Sequence, residues 1–295
     1  MNSITFRLLE VFQHVVDAGS VTAASVQLGL SQPTVSLQLK KLSTIVGLPL
    51  LEYTQGKPSM TEAGMAVYRC AQEVLTSQQK LNSQIQALQG LEVGSLKLAV
   101  VTTAKYIIPP MLSPFCKAHP NIDVRFTVGN REKIVDRLKR NQDDLYIFSL
   151  PPNDPGLSCT PFKENRLQVI APPDFDGPQE CDLQTLRSEK FLLREAGSGT
   201  RRAIDDYCSQ HNIHFDNAMV IESNEAIRLA VSSGLGLAIV SEHTLAQVPE
   251  DSVKVLNVKD FPLITHWQAV TVNSRPLSLA SRAFLESLTG QTDSR

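Results

Sequence analysis

The sequence predicts an α/β fold preceded by a small all-α region, and three observations support this prediction. Residues 1–60 hold three short helical patterns, the second and third separated by only a few residues. Residues 61–89 contain no proline and repeat apolar side chains at steps of four and three. From about residue 95, short apolar strand patterns alternate with helical ones, the rhythm of a parallel sheet covered on both faces.

Composition limits the classes of protein to consider. The chain has 295 residues, enough for two or three domains, and its net charge of −2 gives no support for a nucleic-acid partner. Five scattered cysteines without paired spacing argue against a zinc site and against disulfides, and a redox-sensing thiol stays open. Without an export signal or a long apolar run, we expect a cytoplasmic protein with no membrane contact, no metal and no cofactor.

The first three helices form one unit. Thr5 to Ala18 is predicted to be a helix whose apolar stripe supports the next two. The second helix begins after the N-cap Ser20 and stops at Gly29, and the third begins after the N-cap Ser31. This is the spacing of a helix-turn-helix.

The outer face of the third helix is polar and basic, which suits insertion into a DNA major groove. Glutamine can pair with adenine, hydroxyls can bind bases or phosphates, and lysines neutralise phosphates. An ordinary helical hairpin with a solvated face is the alternative. The candidate DNA-binding residues on this face are Ser31, Gln32, Pro33, Thr34, Ser36, Leu37, Lys40 and Lys41.

Several sequence pieces in residues 1–64 closely resemble the DNA-binding domain of LysR-type transcriptional regulators. They match in order and spacing, and they are Leu9–Phe12, Gly19–Ala24, Leu30–Ser36, Gly47–Leu50 and Thr61–Gly64. The resemblance implies a double-stranded DNA partner and a wing between Leu51 and Thr61, which adds Lys57 as a DNA-binding candidate. RNA polymerase is a further candidate partner.

The chain departs from the family pattern at two positions where basic residues are usual, now Leu37 and Tyr53. Residues 1–60 carry four basic and three acidic side chains, a net charge of only +1. We call residues 1–60 the head. We expect each head to bind DNA weakly and with a shallow salt dependence, so that affinity comes from several heads acting together.

The segment from Thr61 to about Gln89 is predicted to be one long helix with a narrow apolar seam. The seam follows a heptad spacing and is interrupted by one polar residue; it consists of Val67, Ala71, Val74, Gln78, Leu81, Ile85 and Leu88. Such a seam favours dimerisation over packing on the helix's own domain, and it resembles the linker helix of the family. By the family's habit the dimers would pair into a tetramer. Gly90 and Gly94 bracket a predicted hinge.

The remaining residues are predicted to form two α/β lobes joined by two crossovers, with a ligand cleft between them. This part resembles the periplasmic-binding-protein-like effector domain of the same family. The complete prediction is an N-terminal all-α winged helix-turn-helix (1–60), a linker helix (61–90) and a two-lobed effector domain (91–295). Lobe I covers about 91–161 and 267–295, and lobe II about 162–266.

Strand ends in lobe I are the first candidate ligand contacts, because ligands of open α/β sheets bind beyond the carboxyl ends of strands. Thr102, Thr103 and Lys105 follow the first strand and suit a carboxylate or phosphate. Asn130 and Arg131 follow the second strand, and Ser149 follows the third. Plain helix capping is the alternative reading.

Lobe II contributes a glycine-rich stretch in which backbone amides could approach an anion. A glycine-rich helix start without a ligand is again the alternative. The candidate residues are Glu195, Ser198, Gly199, Thr200 and either Arg201 or Arg202, with Asn224 and Glu225 at the next helix start, which could close the cleft.

Two stretches, Thr102–Tyr106 and Arg194–Arg201, look like the branch of the family that regulates carbon-fixation operons. That resemblance implies a small anionic metabolite as effector. An enzyme is the first rival, but no histidine falls in the strand-end loops. A solute-binding component is the second, and the N-terminal head argues against it.

Overall fold

The computed structural model of the protein describes residues 3–54, 57–88, 94–178, 180–245 and 252–290. It divides into two units, Met1–Leu91 and Glu92–Arg295. Within the described residues, no helix has both the length and the apolar character needed to cross a membrane. The predicted hinge at Gly90 lies outside the described residues.

Three capped helices form the start of the N-terminal unit: α1 (Phe6–Ala18), α2 (Val21–Leu28) and α3 (Gln32–Val46). The hydroxyls of Thr5, Ser20 and Ser31 accept the hydrogen bonds of the first turns, which satisfies amides that have no partner inside a helix. Each helix ends at a glycine with positive φ. The predicted helix-turn-helix is confirmed.

The wing implied by the family resemblance is a short antiparallel hairpin. Strand β1 (Leu51–Thr54) pairs with β2 (Lys57–Met60), with Leu51 opposite Met60. The side chain of Lys57, a predicted DNA contact, lies outside the described part of the structure.

The long helix α4 (Glu62–Leu88) begins against the head rather than standing free of it. A side chain at Gly64 would lie 2.0 Å from the carbonyl oxygen of Leu50, so only glycine fits there. Tyr68 donates a 2.5 Å hydrogen bond to Asp17 of α1, and Ala71 is fully buried. The start of the predicted seam therefore belongs to the core of the head, and only its later positions are exposed.

The C-terminal unit follows the predicted alternation of strands and helices. Its first half contains β3 (Gly94–Val101), α5 (Ile108–Ala118), β4 (Ile122–Gly129), α6 (Arg131–Lys139), β5 (Leu145–Phe148), β6 (Leu157–Ala171) and β7 (Glu180–Cys181). Its second half contains β8 (Lys190–Leu193), α7 (Gly199–His211), β9 (Asn217–Val220), α8 (Asn224–Ser232), β10 (Leu237–Ser241), β11 (Lys254–Val255), β12 (Asn257–Val258), β13 (Leu263–Val272) and α9 (Leu279–Thr289). Short 3-10 helices cover Thr102–Tyr106 and Glu242–Thr244.

One sheet runs through both lobes in the order β4-β3-β5-β13-β6-β10-β8-β9. Strands β3, β4 and β5 are parallel in lobe I, and β8, β9 and β10 are parallel in lobe II. The two central strands, β6 and β13, pair antiparallel over almost their whole length and link the lobes. The sequence pattern alone indicates strands only over Arg166–Ala171 and Trp267–Val272, which are parts of these longer crossover strands.

Each lobe has its own hydrophobic core. The lobe I core surrounds Trp267 and Phe284, and the lobe II core surrounds Phe191 and Leu237. A register shift between Trp267 and Gln268 interrupts the β6–β13 pairing. The cleft therefore lies between two separately packed bodies through which this pair of strands runs.

Candidate functional sites

The outer face of α3 presents the side chains that the sequence indicated for DNA binding. Ser31 is the N-cap, and its hydroxyl shares a 2.8 Å hydrogen bond with that of Thr34, which is half-buried. The side chains of the other predicted residues on this helix are exposed: Gln32, Pro33, Ser36, Leu37, Lys40 and Lys41. The opposite face holds the helix to the core through Val35 and Leu42.

The wing strand β1 lies beside this face. A pocket of about 310 Å³ separates them, and its lining includes Ser36 and Lys40 from α3 and Tyr53 from β1. Tyr53 is exposed and stands where the family pattern has a basic residue. A phenol can hydrogen-bond a phosphate, but it adds no positive charge.

In the effector unit, a set of polar side chains joins the lobes, and we call it the interlobe contact. The Thr103 hydroxyl of lobe I accepts a 2.9 Å hydrogen bond from the Asn224 amide of lobe II. The Asn224 amide oxygen in turn accepts a 2.6 Å bond from buried Arg194, which forms a bidentate pair with Glu195. The chain therefore satisfies these buried polar groups internally.

Glu225 forms the second half of the interlobe contact. Its carboxylate lies 2.5 Å from the Lys105 ammonium, and it accepts hydrogen bonds from Tyr106 (2.6 Å) and Ser223 (3.0 Å). Burial tends to raise the pKa of Glu225, but the hydrogen bonds from Lys105 and Tyr106 outweigh it and lower the pKa to about 2. Burial and the bond to Glu225 raise the pKa of Tyr106.

Next to this contact, the lobes enclose a cavity of about 630 Å³. Lobe I contributes the start of α6 and the loop after β5, and lobe II contributes the loop before α7 and Glu222. The lining residues are Asn130, Arg131, Glu132, Val135, Pro152, Asn153, Glu195, Ala196, Gly197, Ser198, Arg202 and Glu222. A volume of this size holds a small metabolite.

Two guanidinium groups from opposite lobes face this cavity. Arg131 donates to the carbonyl oxygen of Leu150, and its guanidinium lies 5.5 Å from the centre of the Phe148 ring. Burial, and after it the charge of Arg202, lowers the pKa of Arg131. Within the described residues, neither arginine has a carboxylate at ion-pair distance. Each guanidinium can donate charge-assisted hydrogen bonds to an anion, while Glu132, Glu195 and Glu222 add negative charge to the same cavity wall.

The structure divides the predicted ligand residues into three groups. Asn130, Glu195 and Ser198 line the cavity. Thr103, Lys105 and Asn224 form the interlobe contact. The remaining predicted residues are held by contacts outside the cavity wall, and they are Thr102, Ser149, Gly199, Thr200 and Arg201.

In this third group, each residue has a structural partner or a buried position. The Thr102 hydroxyl bonds the carbonyl oxygen of Gly129 at 3.1 Å, and Thr200 is buried. Arg201 pairs with Asp205 at 2.7 Å and bonds the Arg194 carbonyl oxygen, so Arg202 rather than Arg201 reaches the cavity. Adjacent helix residues point about 100° apart, so one helix register cannot bring both arginines to the same wall.

Gly199 of lobe II packs closely against Ser149 of lobe I. Ser149 is buried at the end of β5, and a Cβ atom on Gly199 would lie 2.6 Å from its hydroxyl oxygen. The glycine therefore permits the packing of α7 against lobe I.

Sequence reasoning named Arg131 beside Asn130 and left Arg201 and Arg202 as alternatives, and the structure brings Arg131 and Arg202 to the cavity wall. It also named Glu225 at a helix start that could close the cleft, but it missed Glu222, which lines the cavity. Both Arg201 and Arg202 have an aspartate four residues later, so spacing alone could not separate them. Glu225 pairs with residues about 120 positions earlier, a contact without a local signal.

Comparison with known proteins decides the class. Residues 6–65 match the model for bacterial regulatory helix-turn-helix proteins of the lysR family, and residues 89–293 match the LysR substrate-binding domain. The chain belongs to the LysR family of transcriptional regulators. The predicted fold, with its N-terminal helix-turn-helix and two-lobed effector domain, is confirmed.

Relatives in the LysR family place the chain in the predicted branch. The transcriptional activator CmpR of Synechocystis sp. is 38% identical over 98% of this chain and 96% of its own length. A RuBisCO operon transcriptional regulator of Acidithiobacillus ferrooxidans is 38% identical over 96% and 93%. These proteins are named as regulators, a non-enzymatic class, and the prediction of a regulator rather than an enzyme is confirmed.

A solved structure from the same family resembles the effector unit. It is the regulatory domain of Synechocystis CcmR in complex with 2-PG, 36% identical to this chain, with a TM-score of 0.63. The match covers 68% of this chain and 97% of that domain.

Proposed function

We propose that a small anionic metabolite binds in the cavity between the lobes and thereby modulates the regulator's action on DNA. The presence of Arg131 and Arg202, one from each lobe, on the wall of one cavity carries this proposal, since an anion bound there could accept charge-assisted hydrogen bonds from both. The complex of CcmR with 2-PG supports the same class of ligand.

The hydrogen bonds offer a route by which the anion would act. Glu195 lies on the cavity wall and pairs with Arg194, which bonds Asn224, which bonds Thr103 of lobe I. An anion close to Glu195 would alter the charge that Arg194 balances, and so bias the interlobe contact. The ligand then shifts the protein between arrangements by binding one of them better.

Titration calorimetry on the full-length protein tests the proposal. 2-PG and inorganic phosphate are the probes, and a neutral polyol of similar size is the control. We expect saturable binding of 2-PG and no binding of the polyol. Gel shifts with DNA selected by the protein should then change in mobility or affinity when 2-PG is added. If neither 2-PG nor inorganic phosphate binds at millimolar concentration, the proposal is contradicted.

For DNA, we propose that α3 enters the major groove and the wing contacts the adjacent backbone. Gln32, Ser36 and Leu37 would face bases, while Lys40, Lys41 and Lys57 would contact phosphates. The exposed outer face of α3 supports this assignment. Gln32→Ala should relax base preference without loss of folding, measured by selection from random DNA.

We also propose that α4 mediates a homodimer, and that dimers pair into a tetramer. Leu81 and Ile85 of α4 are exposed at 56% and 43%. A groove of about 460 Å³ beside α1 is lined by Phe6, Leu9, Val67 and Val74 among others, and the last two are seam positions of α4. Leu81→Asp with Ile85→Asp should give monomers in sedimentation at low micromolar concentration.

These proposals assign three functional regions. They are a DNA-binding head (1–60), a dimerisation helix (61–90) and an effector domain (91–295). Such a regulator would act in the cytoplasm and, when it activates transcription, would meet RNA polymerase at the promoter.

A further inference from the structure

Leu37 is an unusual side chain on the outer face of α3. It is 68% exposed, and it is the one large hydrophobic residue of this fully described helix that is exposed. Its neighbours at three and four residues are polar, basic or proline: Pro33, Thr34, Lys40 and Lys41. An isolated surface leucine is ordinary in a protein, but this one stands at the centre of the face assigned to DNA.

The direction of the side chain places Leu37 close to the bases. Helical side chains lean toward the N-terminus of their helix, so Leu37 covers the turn that contains Pro33 and Thr34. In a helix-turn-helix the N-terminal residues of the second helix contact base edges. Leucine cannot form a hydrogen bond, and the apolar group that the major groove offers is the 5-methyl group of thymine.

Because the head carries little net charge, an apolar contact with a base contributes a larger share of the binding free energy. Residues 1–60 have a net charge of only +1, so phosphate neutralisation contributes less to binding than in a strongly basic head. A leucine pressed against polar base edges would cost free energy, because those edges would lose water without gaining a partner. Against a methyl group, the same side chain removes apolar surface from water and favours binding.

We propose that Leu37 packs on the methyl group of a thymine in each half-site and so determines base preference at that position. The inference rests on the proposed placement of α3 in the major groove. It adds to that placement one residue, one base and one chemical group of the base.

Replacement of thymine by deoxyuridine tests the inference, because it removes the methyl group and leaves every hydrogen-bonding group in place. The probe is a duplex selected from random DNA by the full-length wild-type protein, with each thymine replaced singly. Burial of a methyl-sized group is worth about 0.8 kcal/mol, so a single replacement in one half-site should weaken binding about fourfold. Replacement in both half-sites should weaken it on the order of tenfold.

The variants show whether Leu37 is the cause. Leu37→Ala should bind the thymine duplex more weakly than wild type and should no longer distinguish it from the deoxyuridine duplex. Leu37→Met, which keeps an apolar side chain of similar length, should retain the distinction. Leu48→Ala is the matched control, since Leu48 is 56% exposed just beyond α3, and it should behave as wild type.

Two results would overturn the inference. One is a selected site without an enriched thymine whose methyl group matters. The other is a deoxyuridine penalty that persists unchanged in Leu37→Ala. A parallel scan uses 7-deazaadenine and 7-deazaguanine, which lack the N7 acceptor of the major groove. It separates failure of the Leu37 contact from failure of the proposed placement of α3. Sensitivity to these bases without sensitivity to deoxyuridine rejects the role of Leu37 but keeps α3 in the groove. Insensitivity to all of them rejects the placement of α3 as well.

Discussion

The two halves of the interlobe cleft are built on opposite principles. In the interlobe contact, every charged group has a partner within the chain: Glu225 has Lys105, and Arg194 has Glu195. On the cavity wall, neither Arg131 nor Arg202 has a carboxylate at ion-pair distance among the described residues, and the glutamates of the same wall leave both arginines unneutralised at close range. The first arrangement holds the lobes together by itself. The second gains most from an added anion, and this difference separates the residues that set the closed geometry from those that bind the ligand.

Loss of one cavity arginine should have the largest effect on the ligand. Arg202→Gln removes a charge that faces the cavity, and a charge-assisted hydrogen bond is worth about 1.5–3 kcal/mol. We therefore expect the Kd for 2-PG to rise by roughly tenfold to a hundredfold in titration calorimetry. Arg201→Gln is the matched control because Arg201 pairs with Asp205, and its Kd should stay within about twofold of wild type. Equal losses in the two variants would refute the distinction between these neighbours.

A side chain added at Gly199 should disturb the packing of the lobes rather than the charges of the cavity. Gly199→Ala brings a methyl group 2.6 Å from the Ser149 hydroxyl, and overpacking of this kind costs about 1–3 kcal/mol. The midpoint of thermal unfolding should fall, and Ser149→Gly in the same chain should restore most of it. A Gly199→Ala variant as stable as wild type would show that the lobes separate freely at this point.

Asn224 tests the interlobe contact directly. Asn224→Ala leaves the guanidinium of Arg194 and the hydroxyl of Thr103 short of one partner each, and a buried unsatisfied group costs about 1–3 kcal/mol. We expect lower stability in denaturant unfolding, together with a change in how 2-PG alters DNA binding. Unaltered coupling in a destabilised protein would mean that Asn224 only supports the fold.

The smallest expected effect is the response of Glu225 to pH. Its pKa of about 2 lies below the ordinary value, so its ion pair contributes fully above about pH 4.5 and fades as the pH falls toward 2. The difference in unfolding midpoint between wild type and Glu225→Gln should therefore be constant from pH 5 to 8. A difference that changes near pH 6 or 7 would point to another titrating partner.

Local signals explain what the sequence predicted well. The caps Ser20 and Ser31 and the stop at Gly29 act within a few residues, and the structure has all three as predicted. Thr5, predicted as the first residue of a helix, is the N-cap of α1. The wing came from the family resemblance, because four-residue strands such as β1 carry little pattern of their own.

Contacts between distant residues explain the misses. Polar residues within β6, such as Glu164 and Asn165, hid the continuous strand that links the lobes. The α4 dimer seam stays a prediction; at its start, Ala71 is fully buried, and nearby Tyr68 bonds Asp17 of α1, a contact that local spacing did not indicate. The choice between Arg201 and Arg202 depends on where α7 sits against lobe I, which the approach of Gly199 to Ser149 reflects.

A crystal structure of the full-length protein grown with 2-PG tests the central claim most directly. The account predicts the anion in the cavity, with its oxygens within hydrogen-bond distance of the guanidinium groups of both Arg131 and Arg202. The interlobe contact from Thr103 to Asn224 should keep its hydrogen bond. An anion bound instead at Thr102 and Lys105, with the Lys105–Glu225 pair broken and both arginines untouched, would contradict it.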